Sequence, residues 1–197
     1  MCIRDSYLSN SKTAELNAVL GELQNSSRTT FELMANDIRR SGYIGCGNSS
    51  RVVNVLNAAN VAGSAWAIWN GGIEGFEQPA PAINGVSPLS GTDAIRLMFG
   101  SGRSYSVESH DATLSQLVLS GEHQIQSGDL LILCDEALSS IFSASSTDLT
   151  SVFHEVSASN CTSGMGFPLL CDGAAGTVKQ YAVNAMLMNF DSVSWYI

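Results

Sequence analysis

No proline interrupts residues 7 to 40, and apolar or small side chains recur there at Leu16, Leu20, Leu23, Ser27, Phe31, Met34 and Ile38. Steps of three and four residues place these on one face of an α-helix, with Val19 and Ala35 widening the stripe. Glu15, Glu22, Arg28, Glu32, Asp37 and Arg39 fall off it. At 1.5 Å per residue such a helix spans roughly 50 Å, which is long for an element inside one globular domain. Arg39 and Arg40 lie where cations complement the negative end of the helix dipole, and Gly42 can adopt the left-handed conformation that ends a helix. Gly21 weakens the interior by about 1 kcal/mol relative to alanine. A coiled-coil or bundle helix would show the same stripe.

Beyond Cys46 the apolar period shortens to that of strands. Arg51 to Leu56 is a first short apolar segment, and from Gly91 onward β-rich runs follow one another. They are Asp93–Phe99, Ser104–Glu108, Leu114–Leu119, Leu130–Cys134, Ser139–Ser143, Val152–Val156 and Val193–Ile197, separated by Gly, Ser, Asp and Asn. The continuous run Leu130–Cys134 suits a central strand covered on both faces, and Ser127-Gly128-Asp129 supplies the turn before it. Between these regions, residues 57 to 90 form a long Asn-, Ala-, Gly- and Pro-rich excursion carrying Trp66, Trp69 and Phe76. The predicted fold class is α+β: a long N-terminal amphipathic helix at residues 7 to 41 packed on an antiparallel β-sheet head at residues 42 to 197. Residues 1 to 6 continue the stripe poorly and do not make a signal peptide, so they read as foreign to the natural protein. The run Ser192–Ile197 reads as a strand with no closing turn, and truncation is expected at both ends.

Charge and motifs exclude several kinds of chemistry. The formal net charge is −9. Residues 1 to 45 carry five acidic and five basic side chains, whereas residues 46 to 197 carry thirteen and four, so the excess lies wholly in the head. Such a head repels phosphate backbones, and no nucleic-acid partner is expected. No run of 18 apolar residues occurs. Gly100-Ser101-Gly102-Arg103-Ser104 lacks the lysine and spacing of a phosphate cradle and reads as a solvated turn. Ser109-His110-Asp111 sets three catalytic residue types side by side, but adjacent strand residues point to opposite faces, so it reads as a polar strand end. Asp129 and Asp172-Gly173 lack the spacing of a calcium loop. No catalytic residue, cofactor or metal is expected. Asn25, Asn48 and Asn160 begin glycosylation sequons.

The order of motifs carries more than any one of them. Residues 28 to 48, RTTFELMANDIRRSGYIGCGN, join the last turns of the helix to a Ser-Gly-Tyr-Ile-Gly-Cys exit. This resembles the helix-to-head junction of PilW-type minor pilins of type IV pili, with Arg39, Gly42, Tyr43, Gly45 and Cys46 at the junction. The similarity continues through a long loop, the Ser-Gly-Thr-Asp strand start at Ser90–Asp93, the Gly-Asp strand at Gly128–Leu133, then Cys134 and Ile141-Phe142. The resemblance implies a non-enzymatic role in pilus assembly and priming. It also implies other minor pilins and the major pilin as partners, and anchorage in the inner membrane by an N-terminal segment missing from this sequence. The implied localisation is inner membrane and periplasm, then the extracellular pilus. A type II secretion pseudopilin shares the helix-and-head plan, and an adhesive head gripping a surface through Trp66, Trp69 and Phe76 is a further alternative. With Cys2 set aside, four cysteines allow three connectivities, or free buried thiols. The expected pairs are Cys161 with Cys171, closing a Gly-rich loop, and Cys46 with Cys134, tying the helix exit to a central strand.

Overall fold

The computed structural model describes residues 2–47, 51–57, 69–78, 80, 82, 86–171 and 176–196, with helix side chains from Ser6 onward. The chain divides into two compact units, residues 1 to 39 and residues 40 to 197.

The first unit is α1, Cys2–Arg40, a continuous helix of 39 residues and about 60 Å. Its interior threonines are accommodated by back-bonding: the hydroxyls of Thr13, Thr29 and Thr30 donate to the carbonyls of Ser9, Asn25 and Ser26. Arg28 and Glu32 form an i,i+4 ion pair at 3.0 Å. Both side chains are exposed, so the pair contributes only a few tenths of a kcal/mol. The apolar stripe faces solvent, with Leu16 63%, Leu20 53%, Leu23 61% and Phe31 65% exposed; Ile38 is also exposed and Met34 is half-buried. No described helix is long and apolar enough to cross a membrane.

The second unit contains a nine-stranded sheet. Its strands are β1 Arg51–Asn54, β2 Ile73–Phe76, β3 Ala94–Asp111, β4 Gln116–Leu119, β5 Leu130–Cys134, β6 Leu138–Ser143, β7 Ser146–Thr147, β8 Ser151–Phe153 and β9 Met186–Tyr196. They lie in the order β1-β6-β5-β9-β3-β4-β8-β7, with β2 paired to β3 off this path. The sheet is mixed, because β1 runs parallel to β6, with Arg51 opposite Leu138 and Asn54 opposite Ile141.

These observations correct the expected fold class. The head is built on a large mixed sheet and not an antiparallel one. β1 lies on the edge of the β5–β6 hairpin, next to β6. A second correction concerns Gly100–Ser104. It is no turn but the middle of the 18-residue strand β3, whose pairing with β9 shifts register between Ser101 and Tyr105.

Alternation along the central strands builds two cores. Val53, Leu131, Leu133, Phe142 and Leu187 lie in one buried cluster, and Ile132, Ile141, Met188 and Phe190 lie in the other. Successive strand residues point to opposite faces, so these clusters are the two sides of one sheet. Met165, Tyr181 and Ala185 complete the first; Ile44, Leu56 and, in part, Trp69 complete the second. Coverage of both faces explains why every residue of β6 is buried, including Ser139, Ser140 and Ser143. Their polar atoms find partners: the Ser140 hydroxyl donates to Met165 O at 2.7 Å. Asn160 exchanges two bonds with the Ser143 backbone, at 2.8 and 2.7 Å. That commitment buries the amide of the Asn160 sequon.

Candidate functional site

The exit from α1 is fastened to the sheet residue by residue. Gly42 takes a φ of +76°, and its N–H donates to Met98 O at 2.9 Å. Tyr43 N–H donates to Arg40 O at 3.2 Å, and Tyr43 O accepts from Gly100 N–H at 2.6 Å. The chain leaving the helix is therefore held along β3 by these bonds. Gly72, whose carbonyl accepts from Met98 N–H at 2.7 Å, lies so close to Gly42 that a Cβ there would overlap the Gly42 backbone. Arg40 stacks its guanidinium 4.4 Å from the Phe99 ring centre, a contact worth roughly 0.5 to 1 kcal/mol at the surface. Ile44 is buried, whereas the Tyr43 ring is exposed. Gly45, at φ +89°, abuts Met188 and the Cys134 sulfur. Arg39, in the first unit, bonds Asn36 at 3.3 Å and remains exposed.

Both disulfides are present. Cys46–Cys134 joins the helix exit to β5, with Cα atoms 5.7 Å apart and a sequence separation of 88. Cys161–Cys171 closes a local loop, with Cα atoms 5.0 Å apart.

Of the aromatic residues of the 57–90 excursion, Trp69 and Phe76 have different partners. Trp66 lies outside the described residues. Trp69 is half-buried, its ring 6.2 Å from that of Phe190 and tilted by 55°. Phe76 sits on β2 and carries the Arg96 guanidinium 4.7 Å from its ring centre. Arg96, itself buried, pairs with Glu74 across the strands at 3.1 Å. Both described rings are thus spent on packing the head. Beside Trp69 a cavity of about 560 Å³ is lined by Gly42–Gly47, Val52 and Gly71.

Ser109, His110 and Asp111 do not converge. The Asp111 carboxylate accepts from Thr113 N–H, Leu114 N–H and the Thr113 hydroxyl, and these bonds hold its pKa below the usual carboxylate range. His110 turns into the core. Its Nε2 lies 3.0 Å from His154 Nε2, and its Nδ1 accepts from Tyr181 N–H at 3.0 Å. Burial drives both histidines down from 6.5 to about 4. Sequence reasoning missed this pair because the two residues lie 44 positions apart and only the β3–β4–β8 pairing brings them together. Among the described residues no group of three or more His, Cys, Asp or Glu side chains could hold a metal ion.

Comparison with profiles of protein families, with curated proteins and with solved structures finds no match to this chain.

Proposed function

We propose that this chain is a minor pilin that takes part in assembly and priming of a type IV pilus. One observation carries the reading: a 39-residue helix with a solvent-facing apolar stripe runs straight into a head whose first residues are stitched to the sheet by hydrogen bonds and a disulfide. Large contiguous apolar surface is rare on isolated soluble proteins and marks a face that other chains cover. Helices of other minor pilins and of the major pilin are the partners in this reading. The chain would be held at the inner membrane and periplasm before incorporation into the extracellular pilus, and its role is assembly rather than covalent chemistry. The adhesive alternative draws less support, since Trp69 and Phe76 pack within the head.

Deletion of the gene should abolish or sharply reduce surface pili and twitching, and complementation should restore both. Normal piliation in the deletion strain, with protein secretion lost instead, would replace this reading by the type II secretion pseudopilin.

A further inference from the structure

We infer that His110 and His154 form an acid-sensitive clasp that releases the 177–183 segment from the sheet when either ring gains a proton. The inference is independent of the pilin reading. It rests on the arrangement of donors and acceptors around two buried imidazoles, His110 at 6% and His154 at 1% exposure.

The proton positions follow from the partners. His110 Nδ1 accepts the Tyr181 N–H, so it bears no proton, and neutral His110 carries its proton on Nε2. That N–H points at His154 Nε2, 3.0 Å away, which must therefore be the acceptor. His154 then carries its proton on Nδ1, which has no hydrogen-bond partner among the described residues. Each ring has a single tautomer compatible with its neighbours. A second proton on His110 would set Nδ1–H against Tyr181 N–H, and one on His154 would set two Nε2–H groups against each other. Either event turns a hydrogen bond into a donor–donor contact and leaves a charge in the core.

The surroundings do little to accept such a charge. On β3, Asp111 favours protonated His110, but its carboxylate is already engaged by Thr113 and Leu114. From the 177–183 segment, Lys179 opposes it, although that ammonium is paired at 2.6 Å with Asp135, just beyond β5. The Tyr181 phenol is neutral, since burial pushes its pKa up. From β6, His154 meets the apolar Phe142 ring at 5.9 Å. Backbone near His154, first that of Ser163, acts the other way, although no backbone carbonyl meets hydrogen-bond geometry with His154 Nδ1 among the described residues.

The segment that would leave depends on this pair. Gln180 donates to His110 O, and Tyr181 donates its N–H to the ring. The Tyr181 hydroxyl donates to Ser140 Oγ at 2.7 Å, since the Ser140 proton is used on Met165 O. Lowered histidine pKa values mean that the folded form binds fewer protons than the open form. The clasp's contribution is therefore complete above about pH 6.5 and is lost as pH falls toward about 4. Gly166 N–H ties the 161–171 loop to Thr177 O at 2.8 Å, so that loop loosens with the segment, whereas the ladders that join β5 to β6 and β9 do not involve these rings and opening stays local.

Hydrogen exchange read by mass spectrometry between pH 7.5 and 4, corrected for the intrinsic rate, tests this on the whole chain. The Tyr181 amide, whose N–H donates to His110 Nδ1, should lose protection at least tenfold while β5 and β6 keep theirs. Imidazole ¹⁵N shifts of His110 and His154 should change over the same range. Unchanged protection of the Tyr181 amide, or simultaneous loss across the whole head, overturns the proposal. His154→Gln keeps an acceptor for His110 Nε2–H but removes one titration, so opening should become less steep in pH; an unaltered profile also overturns it. His123→Gln, outside the pair, should leave the transition where it is. The wild-type measurement stands whether or not either variant folds.

Discussion

Met188 shows how a single side chain can dictate glycine at two distant positions. Its thioether fills the space between the helix exit and β3, so a Cβ added at Gly45 or Gly100 would collide with it. At Gly45 the positive φ adds strain, whereas Gly100 has ordinary backbone and isolates the packing effect. Gly100→Ala should destabilise the head by roughly 1 to 3 kcal/mol through overpacking. Combination with Met188→Ala should recover part of that loss, a coupling of about 0.5 to 3 kcal/mol in a double-mutant cycle read from denaturant midpoints. A wild-type midpoint for Gly100→Ala would show that Met188 repacks freely. None of this was legible locally. Gly100-Ser101-Gly102 has the composition of a turn, and only a methionine 88 residues downstream explains the first of these glycines inside a strand.

Among the elements, the helix was the most legible, because a stripe of period 3.6 without proline leaves few other conformations. What the stripe meets was not legible, since periodicity gives a face but not its partner. Phe31→Ala and Leu20→Ala should therefore change the stability of the isolated protein by less than about 0.5 kcal/mol, as expected for exposed positions. A loss above about 2 kcal/mol in thermal or chemical denaturation would show that the stripe is packed in solution. The strands were partly legible: Leu130–Cys134 is β5 to the residue, and Ser139–Ser143 misses β6 by its first position. The β1–β6 parallel pair was not, since alternation reports which face is buried but not the direction of the neighbour. Likewise β9 begins at Met186, earlier than Val193, because pairing with β5 and β3 extends the strand through Met186–Phe190, of which Leu187, Met188 and Phe190 are buried. Of the candidate site, the Cys46–Cys134 pairing was expected from the sequence; the histidine clasp, assembled from β3, β8 and a late loop, was not.

At the scale of the whole molecule, the Cys46–Cys134 bond changes how much chain can ever be extended. The residues from 46 to 134 are enclosed by a covalent bond whose Cα atoms stand 5.7 Å apart, yet their extended contour is about 300 Å. When the protein is stretched from its two ends in a single-molecule experiment, that length should stay hidden even after the head unfolds. Adding a reductant should release it as a further increment of about 300 Å, while the Cys161–Cys171 loop, with a sequence separation of 10, adds only about a tenth as much. Identical extensions with and without reductant would contradict this. With the bond intact, the covalent path of tension passes from Cys46 directly into β5, so β1, β2, β3 and β4 lie on a closed branch that force reaches only through hydrogen bonds.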